Sequence, residues 1–256
     1  MASMGKVETK DGTLAYLTLG TGDPVVFLHS LGSTSGSWSS VMEAFAKAHA
    51  VYAFDLMGHG QSAKPDLDYT IEDFGRNILE AMDRLGIGQA HLVGNSIGAL
   101  IALEIAAGHP ERVRRLVLVG CPAWTPAEKQ ERQALTAPSF DEKGYPKPRA
   151  MSDISLTFAK PNQALLDWVN ANRAQAGLWV KRGMEAVLKY DVFPKLGLVK
   201  APTLVVWGEI DQLKSGDQAL VSGIKGVQSV TLKDAGHLPQ MDGPAAFSKA
   251  VLDFLR

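Results

Sequence analysis

Gly94-Asn95-Ser96-Ile97-Gly98 places a serine between two glycines, directly after the apolar run His91-Leu92-Val93. A serine on a sharp strand-to-helix turn is lifted above the sheet edge, and the flanking positions must be small because strand and helix approach closely there. Such a hydroxyl can attack a carbonyl carbon, and the first helical N–H groups favour negative charge beside it. A hydroxyl is a weak nucleophile at its free pKa, so a base must take its proton and a third group must fix the base's tautomer. The C-terminal part holds both residue types. Asp211 follows Thr203 to Trp207 through Gly208-Glu209-Ile210, and His237 follows Val227 to Leu232 through Lys233-Asp234-Ala235-Gly236. The candidate catalytic residues are therefore Ser96, Asp211 and His237.

Each role has rivals. Glu209, Asp234 and Asp242 lie near the chosen acid and base, and Asp211 is preferred because it stands farther along the loop after its strand. Of the six histidines, His29, His49, His59, His91 and His109 do not follow a late strand, and His59, in the turn Asp55 to Ser62, reads as structural. An oxyanion formed at the attacked carbonyl needs two N–H donors. Ile97, next to the serine, supplies one, and the loop His29-Ser30-Leu31-Gly32-Ser33 supplies the other through Leu31. The Ser30 hydroxyl could meet substrate or satisfy its own turn.

These residues need a sheet to hold them. Short apolar, β-branched runs recur at Thr13 to Thr18, Pro24 to Leu28, Ala50 to Phe54, Ala90 to Val93, Val113 to Val119, Thr203 to Trp207 and Val227 to Leu232, with helical patterns between. The alternation predicts an α/β fold with a mostly parallel central sheet flanked by helices. Val25-Val26-Phe27-Leu28 and Leu116-Val117-Leu118-Val119 are apolar throughout, as befits strands buried on both faces. Thr70 to Leu85 carries Ile71, Phe74, Ile78, Met82 and Leu85 on one helical face, whereas Ile97 to Ala107 is apolar nearly all round and must be enclosed.

From about Cys121 to Leu198 the strand rhythm stops, and Gln163 to Gln175 and Gly177 to Tyr190 read as helices. The division expected is a core over 4–121 and 199–256, with a helical cap or lid inserted at 122–198. A cap there would lie over the carboxyl edge of the sheet, where open α/β sheets bind ligands. Trp124, Met151, Phe158, Trp168 and Trp179 could line an apolar pocket in it, and Lys181 or Arg182 could meet a substrate carboxylate. Residues 1–3 are set aside as a possible cloning remnant.

Composition narrows the partners. Twenty-six Lys plus Arg against 27 Asp plus Glu leave a formal charge of −1 over 256 residues, which offers no excess of positive charge to nucleic acid or anionic lipid. A small organic substrate is the expected partner. No signal-like h-region opens the chain and no run of about 18 apolar residues occurs, so neither export nor a membrane is expected. Cys121 is the single cysteine, which excludes an internal disulfide, favours a cytoplasmic setting and reads as a buried small hydrophobe. No metal cluster or phosphate-cradling loop is visible, and no cofactor is expected.

His29-Ser30-Leu31-Gly32, Asp55 to Ser62, Gly94 to Gly98, Trp207 to Asp211 and Ala235-Gly236-His237 occur in the order of the alpha/beta-hydrolase superfamily, which the chain resembles from about Gly12 to Phe254. The resemblance implies the alpha/beta-hydrolase fold and a Ser-His-Asp triad. Ser30-Leu31-Gly32 followed by Trp38 is similar to the 3-oxoadipate enol-lactonases, whereas Gly94-Asn95-Ser96 resembles the meta-cleavage product hydrolases, which split carbon-carbon bonds. Leu238 stands where the latter usually carry Trp, and the His29 loop departs from their glycine-rich one. Ester or lactone hydrolysis is thus the expected reaction, with carbon-carbon hydrolysis or a slow, hydrolase-like ligand receptor as alternatives. Serine rather than aspartate at position 96 argues against haloalkane dehalogenase and epoxide hydrolase chemistry. Ser30, Asn95, Trp124, Trp179 and Leu238 are the candidate substrate contacts.

Overall fold

The computed structural model describes residues 2–256. Eight strands form one sheet: β1 Ser3–Thr9, β2 Gly12–Leu19, β3 Asp23–Leu28, β4 His49–Phe54, β5 Ala90–Asn95, β6 Val113–Val119, β7 Thr203–Gly208 and β8 Gln228–Leu232. Their spatial order is β1-β2-β4-β3-β5-β6-β7-β8. β1 and β2 are antiparallel to their neighbours, and the six strands from β4 to β8 in that order pair in parallel. This is the alpha/beta-hydrolase fold. β5 and β7 are buried at every position, and the apolar runs Val25 to Leu28 of β3 and Leu116 to Val119 of β6 are buried throughout, as expected of strands covered on both faces.

Helices follow the strands: α1 Ser39–Phe45, α2 Ile71–Arg84, α3 Ile97–Gly108, α4 Pro126–Thr136, α5 Met151–Ile154, α6 Gln163–Ala176, α7 Leu178–Lys189, α8 Phe193–Leu196, α9 Asp217–Gly223, α10 Pro239–Asp242 and α11 Pro244–Leu255. Thr70 caps α2: its hydroxyl accepts from Asp73 N–H at 3.2 Å, while Asp73 Oδ2 accepts from Thr70 N–H at 2.9 Å. That reciprocal pair satisfies two donors that a helix start otherwise leaves unpaired. The apolar face, Ile71, Phe74, Ile78 and Met82, is buried against α3. One apolar core lies on each side of the sheet, with Trp38, Phe45 and Phe247 on the α1 and α11 side.

Two expectations need correction. β1 begins at Ser3, within residues set aside above, and pairs with β2 from Ser3 opposite Thr18 to Thr9 opposite Gly12. Its mostly polar sequence belongs to an edge strand with one side in solvent, which lacks the apolar signature of the inner strands. Val227 lies just before β8 rather than within it. Between β6 and β7 the chain forms α4 to α8 and no sheet strand. No helix among the described residues is long and apolar enough to cross a membrane.

Candidate active site

β5 ends at Asn95 and α3 begins at Ile97, leaving Ser96 alone at the turn with φ 58° and ψ −117°. Such a conformation costs a non-glycine residue about 1–3 kcal/mol and persists only where the surroundings impose it. Here they do. A Cβ at Gly94 would stand 2.1 Å from the Gly98 carbonyl oxygen, and one at Gly98 would stand 2.2 Å from that of Leu28. The two glycines therefore let strand, helix and neighbouring strand close on the serine, whose N–H donates to Val119 O at 2.9 Å.

The candidate acid and base follow β7 and β8, beyond β6 in the sheet. Asp211 is buried; its Oδ2 lies 3.0 Å from His237 Nδ1 and its Oδ1 accepts from Leu213 N–H at 2.9 Å. Burial pushes the Asp211 carboxyl up, but the His237 charge, its hydrogen bond and the Leu213 N–H outweigh it, so the group sits below the usual carboxylate range and is ionised at neutral pH. An ionised acceptor fixes the proton on Nδ1 and leaves Nε2 as the basic nitrogen. Ser96 Oγ itself makes no hydrogen bond among the described residues; in unliganded enzymes the bond from nucleophile to base is often long and tightens on substrate binding. The rival carboxylates are occupied elsewhere. Glu209 Oε2 accepts from Asp234 N–H at 3.2 Å on the exposed side, and Asp242 Oδ2 accepts from Gly236 N–H at 2.8 Å.

A residue without a sequence signal completes this pair. Gly120, just past β6, has φ 52°, and a Cβ there would lie 2.7 Å from His237 Nδ1 and 2.8 Å from Asp211 Oδ2. Only glycine leaves room for the bond between His237 Nδ1 and Asp211 Oδ2.

The loop after β3 is held from beneath by two buried histidines. His59 Nε2 accepts from Gly32 N–H at 3.2 Å, and His29 Nε2 accepts from Leu56 N–H at 2.9 Å. Both rings face a carbonyl through Nδ1, His29 that of Ser30 at 2.8 Å and His59 that of Met57 at 3.2 Å, which assigns the proton to Nδ1 in each. Burial lowers both pKa values, that of His59 to about 3, and the rings stay neutral. Leu31 N–H and Ile97 N–H have no acceptor among the described residues. Asp55, also buried, ties the turn below: its two oxygens accept from Ser35 N–H at 2.7 Å and Gln61 N–H at 2.8 Å.

Ser96, His237, Ser30, Leu31 and Leu238 line one cavity of about 440 Å³, closed on its other side by Phe158, Trp168, Met184 and other residues between β6 and β7. Asn95, Trp124 and Trp179, expected at the substrate, lie elsewhere. Asn95 is fully buried beneath the turn and donates to His237 O at 3.0 Å and Val119 O at 3.2 Å. The Trp179 ring packs on Gly58, Tyr69 and Phe74 in the core below the cavity, and the Trp124 ring lies under the Arg132 guanidinium at 5.4 Å. Met151 is exposed and does not line the cavity. Arg182 is engaged by Asp66 and Asp68, and Lys181 pairs with Glu185 at 3.2 Å. The cavity's own arginines are Arg132, Arg149 and Arg173, which no motif singled out.

The family model described as alpha/beta hydrolase fold matches residues 23–244. The chain is 30% identical over 279 aligned positions to the 2-hydroxy-6-oxo-6-phenylhexa-2,4-dienoate hydrolase of Comamonas testosteroni, covering all of this chain (100%) and 95% of that protein. Among solved structures it is similar to a hydrolase from Pseudomonas aeruginosa PA01, at 30% identity and a TM-score of 0.81 over 99% of this chain and 98% of the other. The enol-lactonase of Burkholderia xenovorans LB400 matches at 25% identity and a TM-score of 0.79, over 98% and 99% of the two chains. Sheet order, serine turn and family match agree, and the chain belongs to the alpha/beta-hydrolase family.

Proposed function

We propose that this protein is a serine hydrolase that cleaves a carboxylic ester or lactone of a small organic substrate. The observation that carries the reading is the Ser96 turn, which opens into the same cavity as His237 while Asp211 holds Nδ1 of that ring. In this reading His237 Nε2 takes the proton as Ser96 Oγ attacks the carbonyl carbon. The N–H groups of Leu31 and Ile97 hold the oxyanion; one such donor typically contributes about 2.7–4 kcal/mol. The alcohol leaves with the proton from His237, and the acyl group stays on Ser96. Water, deprotonated by the same ring, then attacks the acyl-enzyme and releases the acid. Residues 122–198 act as the cap that shapes the acyl pocket, and the lone, buried Cys121 fits a reducing, cytoplasmic setting.

Carbon-carbon hydrolysis is the second reading, favoured by the dienoate hydrolase relative. Leu238, in the cavity beside His237, weighs against it, because the meta-cleavage hydrolases that the chain resembles usually carry Trp there. Intact-mass labelling with a fluorophosphonate, alongside a screen of p-nitrophenyl esters, lactones and a meta-cleavage dienoate, tests both. Wild type takes one label and turns over an ester or lactone; Ser96→Ala takes none and keeps its fold. Wild-type rates in Ser96→Ala would remove the nucleophile assignment, and turnover of the dienoate alone would select the second reading.

A further inference from the structure

Ser30 to Ser33 form one turn: Ser33 N–H donates to Ser30 O at 3.1 Å, and Gly32, third in the turn, has φ 71°. A positive φ at that place orients the peptide between Leu31 and Gly32 as in a type II turn. Both peptides of the turn are gripped by imidazoles. His29, just after β3, donates from Nδ1 to Ser30 O at 2.8 Å and accepts at Nε2 from Leu56 N–H at 2.9 Å. His59, in the turn after β4, donates from Nδ1 to Met57 O at 3.2 Å and accepts at Nε2 from Gly32 N–H at 3.2 Å. Each ring thus donates within its own loop and accepts from the other loop. The two rings meet at a steep angle with centroids 5.2 Å apart. Both are fully buried, and burial lowers both pKa values, so each Nε2 keeps the lone pair that accepts.

A trans peptide is planar, and its C=O and N–H point in opposite directions. Holding Ser30 O on His29 and Ser33 therefore fixes the direction of Leu31 N–H, which has no acceptor among the described residues and belongs to a residue that borders the cavity with Ser96. The next peptide is fixed in turn. With Gly32 N–H on His59 Nε2, a flip of the Leu31–Gly32 peptide would set Leu31 O against the same lone pair. We infer that His29 and His59 are positioning residues, a reciprocal clasp that aims Leu31 N–H at the oxyanion while neither ring lines the cavity. This rests on the serine-hydrolase reading above and gives the turn after β4 a part in the chemistry. An oxyanion donor acts fully only when it needs no reorganisation as charge develops, so a loosened clasp costs turnover rather than binding.

The test uses the full chain, a p-nitrophenyl ester and two ketones. Trifluoroacetophenone adds the serine hydroxyl to give a hemiketal oxyanion, whereas acetophenone binds without adding. His59→Met removes both hydrogen bonds of the ring at similar volume. His59→Gln keeps an amide oxygen for Gly32 N–H and an amide N–H for Met57 O. In His59→Met, kcat and the affinity for trifluoroacetophenone should each fall about 30-fold, less than the loss of a whole oxyanion donor. KM and the affinity for acetophenone should stay within about threefold. His59→Gln should recover most of both losses, and His29→Met should repeat the pattern of His59→Met. His91→Gln, which replaces a buried histidine at the end of β5 far from Ser96, controls for lost stability and should leave all four constants unchanged. If His59→Met does not fold, His59→Asn, too short to span Gly32 N–H and Met57 O, takes its place with the same expectation. Wild-type kcat in the variant, equal loss of affinity for both ketones, or a glutamine no better than methionine overturns the clasp. Failure of wild type to take a Ser96-dependent label would instead strike the hydrolase reading, whereas normal labelling with unmoved constants strikes the clasp alone.

Discussion

The backbone N–H of His237 donates a 2.7 Å hydrogen bond to the carbonyl of Thr157, which lies in the helical segment between β6 and β7. The contact is as close as the chain permits, since a Cβ on Gly236 would stand 2.3 Å from the same oxygen. Asp242 clamps the seam from the other side, accepting from Gly236 N–H at 2.8 Å and from Ala159 N–H at 3.1 Å. The loop of the candidate base is thus fastened to the helical segment between β6 and β7 by its main chain.

Asp242→Ala should release this seam. Two backbone donors lose their acceptor, a cost of about 1–3 kcal/mol in urea denaturation, and turnover should fall about tenfold as His237 gains freedom. Asp242→Asn, which keeps an acceptor oxygen, should recover part of both. Wild-type stability together with wild-type kcat in Asp242→Ala would show that the clamp holds nothing that matters.

Gly120→Ala should damage activity far more than folding. The added methyl falls between Nδ1 of His237 and Oδ2 of Asp211, and the backbone there is left-handed, which costs a non-glycine residue about 1–2 kcal/mol. The expected result is a modest loss of Tm with at least a hundredfold fall in kcat and in the rate of fluorophosphonate labelling. Labelling at the wild-type rate would mean that His237 does not need Asp211 in its observed position.

Acid should weaken the fold through its buried histidines. His59 is held at about 3 and His91 at about 4, both mainly by burial, against an ordinary value of 6.5, and His29 is lowered as well. Between those limits the unfolded chain binds more protons than the native one, so stability falls as pH drops below about 6.5. Each fully buried histidine contributes about 1.4 kcal/mol per pH unit. Asp211, whose pKa is depressed, adds its own loss only as pH falls through the carboxylate range, and Asp242, raised by burial, acts in the opposite sense, so urea midpoints at pH 7.5 and pH 5 are compared between wild type and a histidine variant. His59→Gln, which keeps an acceptor for Gly32 N–H and cannot titrate, should show a shallower fall. Equal slopes in the two proteins would contradict the neutral, buried His59.

Seven of the eight strands, the buried α3 and the stretch without sheet strands were legible in the sequence, because apolar runs and periodicity report burial directly. The Ser96 turn was legible because close approach of strand and helix demands its glycines. β1 was hidden by the polar sequence of an edge strand. Gly120 could not be read, since its requirement comes from His237 and Asp211, which meet it only in three dimensions. Aromatic residues between β6 and β7 misled for a related reason: Trp179 and Phe158 look alike in sequence, yet one packs on Gly58 and the other faces the cavity. Which side of a helix meets a pocket is a property of docking, and for the same reason Arg173 was hidden within the polar residues of α6.

The segment between β6 and β7 reaches the candidate site at three points: Thr157 holds the main chain of His237, Arg173 packs on Gly32, and Gly183 accepts the side chain of Leu31, where a Cβ would be 2.4 Å from Leu31 Cδ1. A chimaera that imported this segment from a relative to acquire a new substrate range would therefore exchange part of the scaffolding of the candidate base and of the loop after β3 in the same step. These contacts survive such an exchange only when the partners of Gly32, Leu31 and His237 travel with the segment.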